Sequence, residues 1–185
     1  MLRLGAAGAV VALCASGPLP AQLQPLEFFG LRPGATLAAT DAQVRRLGAA
    51  RGLRCNRSTA DPRVRDCKAT IADPVDGTPL RIWLAAVDSL TGIVTVSGDL
   101  TGGQFEHWRS PLETAYGESG ARVQGTQWMM QWIRGRQMIR LTWRARPGRI
   151  EASVSLVDGP VLDGWQFSGR KGRSAKPAAT DSLTN

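Results

Sequence analysis

The sequence predicts an α+β protein in which two helices pack on one face of an antiparallel sheet, a helix-plus-strand-meander unit that occurs twice. Three observations carry this. Residues 128–157 hold three short apolar runs separated by Arg134-Gly135 and Pro147-Gly148, the punctuation of an antiparallel meander. Within it, Ile139, Leu141 and Trp143 alternate with Arg140, Thr142 and Arg144, and Ala152, Val154 and Leu156 with Glu151, Ser153 and Ser155. Period-two alternation of this kind marks strands with one buried and one wet face. Finally, Phe105, Trp108, Leu112 and Tyr116 recur at helical spacing between two strand-rich stretches.

Taken in order, the chain opens with Met-Leu-Arg and an alanine-rich apolar run, then Pro18-Leu19-Pro20-Ala21. This reads as an export signal over residues 1–21, cleaved near Ala21; the run is too short for a bilayer span of about 20 residues. Residues 22–167 are expected to form one α+β domain, divisible at 29–101 and 102–167. A first helix is expected over residues 41–50, with Thr40 as N-cap and Gln43 reaching back in a capping box. Residues 53–71 read as two strands around Asp61-Pro62, and residues 80–87 and 93–97 as a hairpin whose core side is Ile82, Leu84, Val94 and Val96. Gly102-Gly103 reads as a linker. Ser110-Pro111-Leu112-Glu113 is a second capping box that interrupts or restarts the next helix. A polar link leads to the meander, which Asp158-Gly159-Pro160 ends. Trp165 is expected to pack back on the sheet, and residues 168–185 have the composition of a disordered basic tail. The expected order is helix, four strands, helix, three strands.

Removing the leader removes Cys14 and leaves Cys55 and Cys67, twelve positions apart. In an exported chain they are expected to form one disulfide, worth roughly 3 kcal/mol in the chain-entropy model. Two cysteines and one histidine, His107, make no zinc site, so neither metal nor cofactor is expected. The formal charge of +8 is carried by arginine, with only Lys68, Lys171 and Lys176 as lysines. Because the arginines are scattered through both halves, nucleic-acid binding is not expected. A cationic exported protein instead suits an acidic protein surface or another polyanion.

Gly30-Leu31-Arg32-Pro33-Gly34, followed by Val44 and Leu47-Gly48, resembles the opening strand, glycine turn and helix of the small outer-membrane assembly lipoproteins. It is also similar to the start of the β-lactamase-inhibitor-protein superfamily fold. The resemblance covers about residues 29–165. It implies helices on one face of an antiparallel sheet, repeated in tandem as in the inhibitor proteins. The chain departs from the lipoproteins at Cys14, which follows Leu13 where a lipobox has a small residue. It departs from the tandem inhibitors in having one candidate disulfide instead of one per half.

The residues compose no catalytic motif. His107 lies beside Glu106 and one turn from Ser110, but a triad also needs an orienting third group and an oxyanion hole. Glu106 and Glu113 read as a solvated helix face, and the phosphate-loop likeness of residues 164–171 lacks the strand–loop–helix frame. What remains is a surface. On the sheet face opposite the helices the alternation places Arg140, Thr142, Arg144, Ser153 and Ser155, with Trp83 and either the Trp128, Met130, Trp132 set or the Met129, Gln131 set. Arginine and tryptophan dominate interface hot spots. The expected binding residues are therefore Trp83, Gln131, Arg140, Thr142 and Arg144. The expected role is a non-enzymatic, monomeric interaction module of the periplasm or secreted space. Its partner is an envelope protein, with an anionic lipid or polysaccharide surface as the alternative and a small hydrolase third.

Overall fold

In the computed structural model the described residues are 24–170, with side chains described through Trp165. The expected leader and residues 171–185 of the expected tail lie outside them. The elements are α1 (Leu37–Arg46), β1 (Arg54–Arg57), β2 (Val64–Ala72), β3 (Pro79–Val87), β4 (Leu90–Leu100), α2 (Gly102–Tyr116), β5 (Arg122–Gln124), β6 (Gln127–Arg134), β7 (Gln137–Arg146), β8 (Arg149–Asp158) and α3 (Gly159–Arg170). The protein is α+β and mostly sheet. All eight strands form one antiparallel sheet in the order β1-β2-β3-β4-β8-β7-β6-β5, so each half supplies a four-stranded meander and the two join along β4 and β8.

Alternation decides what is buried. Ile82, Leu84, Val94, Val96, Ile139, Leu141, Val154 and Leu156 are all at or near zero exposure, and share one core with Val44 of α1 and Phe105, Trp108 and Leu112 of α2. The Trp108 indole donates to the buried Asp73 carboxylate at 2.9 Å, and Asp73 also accepts from the Val75 N–H. That pair ties α2 to the β2–β3 turn while satisfying a buried acid, as a dry site requires.

Several elements differ from the sequence expectation. The first helix starts four residues earlier than expected, capped by Thr36, whose hydroxyl accepts from the Ala39 N–H. Thr40 is inside the helix, its hydroxyl buried against that of Thr91 on β4 at 3.1 Å. Gln43 does not close a capping box; its amide donates to the Phe29 carbonyl. Gly102-Gly103 is no linker but the first turn of α2, held by a capping box between Thr101 and Gln104. The helix then runs through Pro111, so Ser110 caps nothing. Part of the expected polar link is the short strand β5, and the segment after β8 is helical through Arg170, past the expected start of the tail. Asp158 caps α3 by accepting from the Val161 N–H.

On β4, Thr91 reaches α1, whereas a Cβ on the neighbouring Gly92 would meet Leu162 and Val161 of α3. The β3–β4 register shifts here, with Ile93 opposite Ala85 and Thr91 opposite Ala86, so Gly92 is a bulge residue and α3 packs where the ladder is interrupted. Trp165 is not packed on the sheet: its indole donates to Asp61 in the β1–β2 loop at 3.0 Å and it remains 41 % exposed.

Cys55 and Cys67 are register partners across β1 and β2 and are joined by a disulfide. Every residue of β1 is exposed, and the bond fastens this four-residue edge strand to the sheet.

Candidate interaction face

The face opposite α1 and α2 is assembled by strand register. One row runs Lys68, Trp83, Thr95, Ser155, Arg140, Gln131 across β2, β3, β4, β8, β7 and β6. The adjacent row runs Arg81, Ser97, Ser153, Thr142, Met129, Arg122. Beyond it, Asp99, Glu151 and Arg144 are in register. All five residues expected at a binding surface therefore share this face, with Gln131 directly opposite Arg140 and Trp83 three strands from Arg140. The choice left open on β6 is resolved: Met130 and Trp132 are buried on the helix side, and the Trp132 indole donates to the Gly117 carbonyl at the end of α2. Trp128, on that same side, stacks on Trp143 with ring centroids 6.3 Å apart.

The centre of the face is polar, and its hydroxyls pair with one another. The hydroxyls of Thr95 and Ser155 lie 3.0 Å apart, and those of Thr142 and Ser153 2.7 Å apart. A shallow cavity of about 250 Å³ opens here, lined by Arg81, Thr95, Ser97, Thr142, Glu151 and Ser153 among others. Glu151 is the acid among the cations. The Arg146 guanidinium bonded to it, helped by Arg144 and Arg81, holds its carboxyl below the usual range. Among the described residues, the Nε atoms of Arg140 and Arg144 are buried with no hydrogen-bond partner, and the Arg140 guanidinium contacts the Met138 sulfur at 3.8 Å. Trp83, 38 % exposed, and Ile133 on β6 are large apolar groups of this surface. Guanidiniums without ion pairs on the same face as an exposed indole are suited to receive carboxylates or other planar anions.

Arg81, Ser97 and Glu151 were absent from the expected set although the same alternation places them: Arg81 precedes Ile82 just as Arg140 follows Ile139. The signal lay in β3 as plainly as in β7.

The other expected chemistry sorts differently. His107 is exposed at the rim of a cavity of about 520 Å³ bounded by Phe29, Pro74, Val75, Pro111 and Tyr116. Among the described residues no serine, threonine or cysteine lines it. Glu27 is paired with Arg32 at 2.8 Å, and the Tyr116 hydroxyl is engaged by the Glu27 backbone. Glu106 and Glu113 share Arg109. Among the described residues no cluster of three metal-ligating side chains occurs, and no helix is long and apolar enough to cross a membrane.

The chain matches no protein-family model, and no characterised protein or solved structure shows significant similarity to it.

Proposed function

We propose that this protein is an exported, non-enzymatic interaction module that holds a partner protein of the cell envelope or secreted space on the face bearing Trp83, Gln131, Arg140, Thr142 and Arg144. The observation that carries the reading is the convergence of these residues on one face, whose arginines keep buried Nε donors without partners. Neither guanidinium has an ion pair among the described residues, so carboxylates of a partner can pair with them. The opposite side supports the division of labour: α1 and α2 both contribute to the core beneath them, as the resemblance to tandem helix-on-sheet proteins implies. The α-β-β-β-β order of elements, occurring twice, fits a repeat of one unit. Export is supported by the disulfide, which persists in oxidising compartments. The module acts as a monomer in this reading.

The net charge of +8 favours a second reading, in which the same arginines hold anionic lipid or polysaccharide. Affinity capture from the protein's own envelope extract, run with the wild type and with a Trp83→Ala, Arg140→Ala, Arg144→Ala variant over a salt series, separates them. A protein captured by the wild type, lost by the variant and retained as salt rises supports the module. Capture of anionic lipid or glycan that collapses as ionic strength exceeds the physiological range supports the second reading. Equal capture by wild type and variant overturns both.

A further inference from the structure

The open face is not uniform. Residues 119–150, which include β5, β6 and β7, contain seven arginines and no aspartate or glutamate. Arg134 is spent on the Tyr116 ring and the Ala115 carbonyl, Arg136 on Asp163 and Arg146 on Glu151. Arg122 and Arg140 form no ion pair among the described residues, and register places both on the open face. With them lie Met129, Gln131 and Ile133 of β6 and Met138 of β7. Ile133 is 62 % exposed, because β5 pairs only with Gln127–Met129 and gives it no neighbour on the outer side. Arg122, Met129, Gln131 and Ile133 line a recess of about 290 Å³ together with Ser119 and Gly120. No carboxylate lines it, Glu118 included, whereas the cavities beside Glu27, Asp41 and Glu151 each contain at least one. Its volume is at the lower limit of the roughly 300–1,000 Å³ of small-molecule sites, which suits an anchoring side chain of a larger partner.

An apolar strip flanked by uncompensated guanidiniums is complementary to an apolar stripe flanked by carboxylates. The dimensions suit a helix. Three strands span about 10 Å between the outer two, close to one helix diameter. The eight residues of β6 extend about 26 Å, the length of about 17 helical residues. Helices are also what this sheet packs against elsewhere, α1 and α2 on the opposite face and α3 on β3 and β4. We infer that the β5–β7 end of the open face receives an acidic amphipathic helix of the partner, with apolar side chains on Met129, Ile133 and Met138 and carboxylates on Arg122 and Arg140. The inference rests on the proposed function and names the form of that partner. A second copy presenting the same end of the face would set guanidinium against guanidinium, which is repulsive.

The probe is a synthetic peptide of about 18 residues with leucine at i, i+3, i+4 and i+7 spacing and glutamate on the flanks. It is titrated against the full chain with isotope-labelled methionine methyls as reporters. Saturable shifts are expected at Met129 and Met138, with Met130, buried on the helix side of the same strand, unmoved. Arg122→Glu and Ile133→Ser are each expected to weaken binding about tenfold, equivalent to about 1.4 kcal/mol, at unchanged Tm, since both side chains are exposed. Arg57→Glu makes the same change in net charge as Arg122→Glu at the far edge of the sheet, and is expected to bind as the wild type does. The peptide with lysine in place of glutamate is expected to give no saturable shift. Equal weakening by Arg57→Glu, equal binding of the lysine peptide, or an acidic peptide that leaves Met129 and Met138 unmoved would each overturn the inference. So would shifts at these methionines produced by phosphatidylglycerol vesicles or by self-association of the chain in place of the peptide. The two proposals fail separately. Normal partner capture with Met129 and Met138 unmoved overturns the helix site alone, whereas equal capture by the wild type and the Trp83→Ala, Arg140→Ala, Arg144→Ala variant, with the peptide still seated, overturns the proposed function.

Discussion

Leu141 and Arg140 are neighbours on β7, yet the two sides of the sheet they face are organised on different terms. On the side of α1 and α2, position is fixed by packing: Leu141 and Leu84 are fully buried, and the polar groups there are matched in pairs, Asp73 with Trp108 and Thr40 with Thr91. On the other side, position is fixed by strand register and short hydroxyl contacts, while the longest side chains keep unused donors. The difference teaches that one alternating sequence can write stability on one face and recognition on the other. A substitution therefore reports which face it strikes.

The largest effect belongs to the packed side. Leu141→Ala should lower unfolding free energy by about 2–5 kcal/mol, the range for emptying a fully buried leucine site, as read from chemical denaturation. A loss under about 1 kcal/mol would mean that this face is not the core.

Next is the edge. Replacing Cys55 and Cys67 together with alanine should cost about 3 kcal/mol through the unfolded chain, and amide exchange should quicken first in Arg54–Arg57. Unchanged protection there would show that β1 holds without its covalent tie.

A smaller, pH-gated effect is expected where α3 meets the β1–β2 loop. Hydrogen bonds from Arg63, with a further one from Trp165, hold the Asp61 pKa at about 2, against an ordinary 3.8. Because the folded value is the lower, this contact contributes fully above about pH 3.8 and is lost as pH falls toward about 2. The Trp165 indole N–H resonance should move over that interval in the wild type and not in Asp61→Asn. Movement centred near neutral pH would assign it to another group.

The smallest effect on stability is expected on the open face. Trp83→Ala, Arg140→Ala and Arg144→Ala should each shift unfolding by no more than about 0.5 kcal/mol in denaturant melts. Large losses would place these side chains among the structural ones and erase the contrast between the faces.

Much of this was legible in the sequence because strand faces are written with a period of two. The β7 and β8 alternations are unambiguous, and so are the core side of the β3–β4 hairpin and the cysteine pairing across β1 and β2. On β6 the alternation was mute, since Trp128, Met130 and Trp132 compete with Met129 and Ile133; only the reach of Trp132 to the end of α2 decides it. The first helix was misplaced because Thr36 and Thr40 sit four apart and either can cap. What separates them is Thr91, fifty-one positions away. Two glycines, poor helix formers, concealed the start of α2, although the Thr101–Gln104 box marks it. In α3 the Gly-Pro pair looked like a stop, whereas Asp158 caps a helix that α3's packing on β3 and β4 sustains. The interaction face was legible through Arg140 and Arg144 but incomplete, because strand order brings Arg81 and Glu151 together across β3, β4 and β8 and no local pattern reveals strand order.

The separation of the faces is tested most directly by hydroxyl-radical footprinting of the captured complex. Labelling of Trp83 should fall on partner binding, with protection extending to Met129 and Met138, while labelling of His107 on α2 stays constant. Protection of α1 and α2 with Trp83 labelled as in the free protein would contradict the account.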